Sequence, residues 1–240
     1  MSVATEKTVR DLALDSPSAT RVLEKLGIDY CCGGNQTLEQ ACRAANLPIS
    51  QVLDSLAEAE RTSQGGSDRD WQREPLADLV AHIKSTHHKF VREETARLGP
   101  LFEKVCSVHG KNHPELLEMQ DTFDALAQEL AMHMMKEEMI LFPYIVRMEE
   151  ALIQNEPILP PPFGTVKNPV AMMVHEHDSA GEALRTLRQA SGGYAPPPDA
   201  CVSYQTLYRA LADFEADLHQ HIHLENNILF PRAIEMEKEH

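Results

Sequence analysis

Two stretches of this chain carry a matching run of residues, His133-Met-Met-Lys-Glu137-Glu-Met-Ile-Leu-Phe-Pro143 and His221-Ile-His-Leu-Glu225-Asn-Asn-Ile-Leu-Phe-Pro231, 88 residues apart (133 to 221). A histidine and a glutamate four positions apart share one face of an α-helix, so each stretch aims an imidazole and a carboxylate at one place. Imidazole and carboxylate without thiolate form a donor set for iron, manganese or zinc. Carboxylates contributed by two opposing helices can bridge a pair of such ions. Each stretch therefore reads as half of a metal site, duplicated.

The elements that must position these residues are legible in the helical period. One apolar stripe runs Leu126, Leu130, His133, Glu137, Leu141, Tyr144, Met148, and the other Leu207, Leu211, Phe214, Leu218, His221, Glu225, Leu229. Steps of three and four mark the core-facing side of a helix, and in both stripes the polar pair interrupts it midway. Burying a polar group without a partner costs roughly 2–7 kcal/mol, and a bound metal would offset that cost. Two further helical patterns offer a histidine at similar depth. His177 follows Val170 and Val174 and precedes Leu184. Near residue 88 the pattern is ambiguous: Leu76, Val80 and Ile83 lead by period to His87, whereas counting back three from Val91 leads to His88. With two imidazoles and two bridging oxygens on each ion, octahedral iron would keep open positions for dioxygen, nitric oxide, peroxide or water.

The four long helical patterns each have a proline near the start, Pro75, Pro114, Pro169 and Pro198, a residue preorganised for a first turn. Breaks are expected from Gly99-Pro100 through His113, from Pro157 to Gly164, and over Ser191 to Pro198. This predicts an up-down-up-down four-helix bundle over 73–240. Pro143 and Pro231 fall inside their helices, where each removes a hydrogen bond to Met139 or Asn227 and predicts a kink. Upstream, shorter helices are expected near 8–14, 17–26, 37–46 and 49–62, the third opened by a capping box at Thr37 and Gln40. They form a small helical domain over 1–62, and the polar, glycine-containing stretch 63–72 reads as a linker. The fold class is all-α.

Composition narrows the function. Against 22 basic residues stand 37 acidic ones, a net charge of −15, which repels phosphate backbones and anionic membrane surfaces. Neither nucleic-acid nor membrane binding is expected. No apolar run of signal-peptide or membrane-spanning type occurs, and five cysteines without framework spacing fit a reducing compartment. The expected location is cytoplasmic.

Ferritin-like di-iron bundles use Glu-x-x-His with more carboxylates. This chain reverses the order and widens the step, which favours a hemerythrin-like site. The chain also resembles the RIC (repair of iron centres) di-iron proteins over nearly its whole length. The resemblance rests on Asp29-Tyr-Cys-Cys-Gly-Gly34 with Gln36-Thr-Leu38, on His133 to Glu138 with Ile140-Leu-Phe-Pro143, on Glu176-His-Asp178 with Ala180-Gly181, and on His221 with Leu224-Glu-Asn-Asn227 and Leu229-Phe-Pro-Arg232. It implies that His88, rather than His87, is the ligand on the first helix, with His133, Glu137, His177, His221 and Glu225 completing the set around two non-haem iron ions bridged by both glutamates. An oxygen-carrying hemerythrin has a further histidine one turn from the third-helix ligand. Here Met173 and Gly181 hold those positions, which weakens an oxygen-carrier reading.

By resemblance, the function is repair of iron–sulfur clusters damaged by nitrosative or oxidative stress, through donation of iron or handling of nitric oxide. The partners would be damaged iron–sulfur proteins and small ligands such as nitric oxide or dioxygen, and a homodimer is compatible with the resemblance alone. A non-enzymatic iron donor is the leading reading. A nitric oxide or dioxygen scavenger or sensor, and a di-iron nitric oxide reductase or peroxidase, are the alternatives. A plain gas carrier has no need of the appended Cys31-Cys32 segment. These cysteines are candidates for redox or iron-transfer chemistry in an exposed glycine turn, against the plainer reading of two small turn residues. Glu129 and Glu176 are candidates for relaying protons or guiding iron, against ordinary solvated charge. His87 is a candidate partner of a ligand. Met132, Met134, Met135 and Met139 are expected to fill core, and Cys42, Cys106 and Cys201 to pack. His82, His109, His113, His175, His219, His223 and His240 are read as surface residues or neighbours of ligands.

Overall fold

The computed structural model describes residues 7–31, 33–62 and 69–238. Cys32 and most of the expected linker, 63–68, lie outside the described residues. Among those described, the secondary structure is helical, with a single isolated antiparallel bridge between Thr8 and Thr37. The chain divides into two compact units, residues 1–74 with 219–231 and residues 75–218 with 232–240.

In the first unit α1 (Val9–Asp15), α2 (Pro17–Lys25), α3 (Leu38–Ala44) and α4 (Ile49–Thr62) fall within a residue or two of their expected spans. Both α1 and α3 begin at capping boxes. Thr8 accepts from the Asp11 N–H at 3.1 Å while Asp11 accepts from the Thr8 N–H at 3.2 Å, and Thr37 and Gln40 do the same for α3. Each box satisfies two of the amide donors that a helix start leaves open. The two cap threonines are the residues that pair in the bridge. Leu23, Ile28, Tyr30, Leu38 and Val52 form the buried core beneath. Residues 219–231 join this unit through specific bonds: Glu24 bonds His219 at 2.9 Å, the Asn227 amide donates to the Tyr30 carbonyl at 3.3 Å, and the Tyr30 ring meets His223 edge-on at 5.5 Å.

The bundle helices are long and three of them are interrupted by a π turn. The first runs α5 (Leu76–Ile83), π turn Lys84–His88, α6 (Lys89–His109); the second α7 (Glu115–Lys136), π turn Glu137–Leu141, α8 (Phe142–Ile153). The third is α9 (Lys167–Ala190), and the fourth α10 (Val202–Leu224), π turn Glu225–Leu229, α11 (Phe230–Lys238). The topology is up-down-up-down. Both predicted stripes are buried throughout, from Leu126 to Met148 and from Leu207 to Leu229. Phe123 links the second unit's helices, its ring 5.3 Å from Phe102 and 5.5 Å from Phe214.

Two expectations about prolines are corrected. Pro100 lies inside α6 rather than at a break, because Val91 and Leu98 before it and Phe102 and Val105 after it are all buried, and packing of one apolar face outweighs local propensity. Pro198 precedes α10 by four residues instead of opening it. Near Pro143 and Pro231, where a kink is predicted, a π turn ends two residues before each proline. The Phe142 and Phe230 N–H groups reach back five residues to Glu137 and Glu225.

Two helix starts in the second unit are capped by glutamates far away in sequence. Glu149 accepts from the Leu76 and Ala77 amides at 2.7 and 2.8 Å. Glu237 accepts from the Val166 amide at 2.8 Å, from the Tyr144 hydroxyl at 3.2 Å and from Thr165; burial, with Glu237 alongside, pushes the Tyr144 phenol up to about 12. Glu237→Ala is expected to cost about 1–3 kcal/mol, the sum of a lost cap and a lost side-chain bond. The midpoint of urea unfolding of the metal-free chain measures it, and an unchanged midpoint would deny the cap its role.

At the far end of the bundle His113 bonds Asp199 at 3.1 Å through Nε2 and Glu115 at 3.0 Å through Nδ1. The Asp199 bond, then the Glu115 bond, raises the imidazole above its ordinary value, and His113 in turn lowers the Asp199 carboxyl. A raised histidine stabilises fully below its unfolded value of about 6.5 and loses that contribution as pH climbs through the folded value. A lowered aspartate loses its contribution as pH falls through its own folded value. The clasp is therefore complete between about pH 4 and 6.5. Wild type is expected to lose thermal stability between pH 6 and 8 relative to His113→Gln, and parallel melting curves across that range would refute the clasp.

Candidate metal centre

The π turns sit at the residues that could hold metal. His88 ends the first, Glu137 begins the second and Glu225 begins the third. A π turn inserts one extra residue into the helical count, and such turns concentrate at functional sites. On the first helix the inserted residue resolves the ambiguity of the sequence. Both His87 (5% exposed) and His88 (0%) are buried, because the phase shifts by one residue between them.

Glu137 is fully buried, and its Oε2 lies 3.4 Å from Nε2 of His88 and 3.4 Å from Nε2 of His133. One carboxylate thus faces two imidazoles. His177 Nε2 lies 3.0 Å from His133 Nε2. His221 Nε2 lies 3.1 Å from Glu225 Oε1 one turn on, and Glu225 is likewise fully buried. Two groups of ligand atoms, each lying within 4.8 Å of one another, result: His88, Glu137, His221 and Glu225, and His133, Glu137, His177 and Glu225. Both glutamates belong to both groups.

Behind the inner histidines stands a second layer of carboxylates. Glu138 meets His88 Nδ1 at 2.7 Å and accepts from Arg92 at 2.6 Å. Glu176 meets His133 Nδ1 at 2.8 Å and accepts from Lys136. Burial pushes both carboxyls up, but hydrogen bonds from the neighbouring cation and histidine outweigh it, and each rests below its usual value. An ionised carboxylate on Nδ1 fixes the tautomer that leaves Nε2 free to bind metal and raises its basicity. The His88 ring also lies flat against Phe142, centroids 5.6 Å apart.

Glu138 lies in the His133 to Glu138 run, but nothing local in the sequence signals its bond to His88, 50 residues away. Glu176, a candidate for relaying protons or guiding iron, is the carboxylate that meets Nδ1 of His133. Glu129 is exposed and His87 bonds Asp217 at 3.0 Å. A depression of about 410 Å³ between α7 and α9 is lined by Glu129, Met132, His133, Lys136, Glu176 and His177, among others.

Several expectations are corrected. Of the four methionines near the first motif only Met134 is buried, while Met132, Met135 and Met139 are 48–74% exposed; they occupy the outward face, away from the stripe of His133 and Glu137. His223, read as a surface residue or a neighbour of ligands, is buried and bonded to Asn227 at 2.9 Å, and burial pushes its imidazole down to about 4. Cys201 is exposed, because it precedes α10. Cys31 is buried rather than displayed: its N–H and thiol both donate to Asp29 Oδ1, at 3.1 and 3.3 Å. The glycine turn there serves close approach, since a Cβ on Gly34 would stand 2.7 Å from the Tyr30 carbonyl oxygen.

Residues 78–233 match the hemerythrin HHE cation binding domain family, and residues 5–60 match a domain of unknown function, DUF542. A probable iron-sulfur cluster repair protein of Haemophilus influenzae is 34% identical over 98% of this chain and 99% of its own length. The iron-sulfur cluster repair protein YtfE of Pectobacterium carotovorum is 36% identical over 95% of this chain and 97% of its own, and that of Yersinia pseudotuberculosis 37% over 93% and 94%. No helix among the described residues is long and apolar enough to cross a membrane.

Proposed function

We propose that this chain, which belongs to the hemerythrin HHE cation-binding family and within it to the iron–sulfur cluster repair proteins, holds a pair of iron ions and donates iron to damaged clusters. One observation carries the reading: the fully buried Glu137 carboxylate, 3.4 Å from an imidazole nitrogen of both His88 and His133. A buried carboxylate placed so between two imidazoles suits a shared ligand of two ions, with Glu225 common to both groups as its counterpart.

The donors fit iron. Imidazole nitrogen and carboxylate oxygen, with no thiolate in either group, suit iron, and manganese or zinc next to it. His88 and His221 would hold one ion, His133 and His177 the other, and Glu137 and Glu225 both. Bound iron supplies redox chemistry and open coordination positions for a small molecule such as nitric oxide or dioxygen. The protein's residues do the rest. Glu138 and Glu176 orient His88 and His133, Arg92 and Lys136 keep those carboxylates ionised, and Phe142 shields the His88 ring.

A second reading has the depression beside His133 and His177 in its favour, since it offers small ligands a path: binding or reduction of nitric oxide without donation of iron. Reactivation separates the two. An iron–sulfur enzyme inactivated by nitric oxide is expected to recover on incubation with the iron-loaded chain. The same chain carrying Glu137→Gln is expected to give no recovery, and equal recovery with both would overturn the donor reading.

A further inference from the structure

The segment that carries His221 and Glu225 has a second face. His219, His223 and Asn227 follow one another at steps of four, which places them together on the helix, about 200° of rotation away from His221 and Glu225. All three meet the first unit, to which residues 219–231 belong. His219 bonds Glu24 at 2.9 Å, His223 meets the Tyr30 ring at 5.5 Å, and Asn227 donates to the Tyr30 carbonyl at 3.3 Å. A carbonyl only accepts, so this contact turns the amide nitrogen of Asn227 inward, and the same nitrogen donates to Nδ1 of His223 at 2.9 Å. Asn227 is 8% exposed and is the middle residue of the π turn Glu225–Leu229. Next to Tyr30, Cys31 is buried with its N–H and thiol on Asp29 Oδ1.

We propose that Asn227 is the positioning residue of the fourth bundle helix: by holding the π turn to the Tyr30 carbonyl, it keeps Glu225, which begins that turn, and His221 one helical turn earlier facing the metal. The inference rests on the reading of His221 and Glu225 as ligands, and it gives a role to the N-terminal unit, whose residues 5–60 match a domain of unknown function. That unit is the seat of a ligand-bearing helix rather than an appendage. A carboxamide suits the position, because its two N–H groups serve two buried acceptors that an apolar side chain of similar size would leave without a donor. Coupling of this kind is reciprocal. Since the Asn227 bond favours the ligand arrangement, bound metal favours the bond by the same factor, and the backbone at Asp29–Cys31 is held more firmly in the loaded chain than in the stripped one. Cys31 reports it, since alkylation of its buried thiol requires that backbone to open.

Two anaerobic readouts on the full-length chain test this: retention of ferrous iron against a graded chelator, and the rate at which iodoacetamide alkylates Cys31, followed by fragment-resolved mass spectrometry. In wild type, iron loading is expected to slow Cys31 alkylation by roughly fivefold or more, the range of ordinary coupling between sites. Asn227→Leu, or Asn227→Ala should leucine prevent folding, is expected to weaken iron retention by roughly 10–100-fold. At iron concentrations that still load the variant, its loaded and stripped alkylation rates should come together. Glu24→Ala breaks the His219 bond on the same face without touching Asn227, and is expected to keep retention close to that of wild type. Equal alkylation of loaded and stripped wild type, wild-type retention in a folded Asn227 variant, or undiminished Cys31 protection in that variant once loaded would overturn the proposal. So would a loss of retention in Glu24→Ala as large as in the Asn227 variant, which would show general loosening of the helix. Failure of the wild-type chain to retain iron at all would instead sink the ligand reading beneath it.

Discussion

Glu137→Gln is expected to empty both metal positions, although the substitution changes one atom type and almost no volume. The carboxylate sits 3.4 Å from two imidazole nitrogens and belongs to both ligand groups, so its loss removes a donor from each ion at once. Losing a partner of a ligand costs roughly 10–100-fold in metal affinity. Losing a shared ligand should exceed about 100-fold at both positions, whereas Glu138→Gln and Glu176→Gln should stay near the range for outer partners. The metal-free proteins should behave in the opposite sense. An ionised carboxylate at zero exposure carries a desolvation penalty of several kcal/mol, so metal-free Glu137→Gln should be at least as stable as metal-free wild type. Metal content after dialysis, together with denaturant unfolding of the metal-free forms, measures both halves. Full iron retention by the variant would mean that Glu137 is not a ligand.

Removing metal from the wild-type chain should lower its melting temperature substantially. A ligand bound only by the native state stabilises it by about 2.7 kcal/mol at a hundred times its dissociation constant. For a chain of this size each kcal/mol moves the melting temperature by about 2–4 °C, giving a fall of roughly 5–11 °C. The structural reason is the concentration of four imidazoles and two carboxylates, all at most 2% exposed, in the two groups. Without a cation these groups crowd one another in the core. Coincident calorimetric transitions for the loaded and stripped chain would show that the cluster is indifferent to metal.

The stripes that carry His133, Glu137, His221 and Glu225 are legible because burial and helical period are both written in local sequence, and Leu126 to Met148 and Leu207 to Leu229 are buried as their spacing requires. The choice between His87 and His88 is not legible by period, because the π turn Lys84–His88 changes the count. The caps from Glu149 and Glu237 and the Glu138–His88 bond are hidden for another reason. Each joins residues 50 or more positions apart, and no local pattern encodes such a pairing. Pro100 misleads because local propensity says nothing of the buried faces on both sides of it. Cys31 misleads because a glycine-rich turn is ordinarily exposed, whereas here Asp29 and the Tyr30 backbone fold it inward.

The most direct test of the central claim is metal analysis of anaerobically purified chain before and after incubation with an apo iron–sulfur enzyme whose activity is followed in parallel. Close to two irons per chain, falling as the enzyme recovers, is the expected result. Two irons that stay bound while the enzyme remains inactive would contradict iron donation and leave nitric oxide or dioxygen binding as the role of the centre.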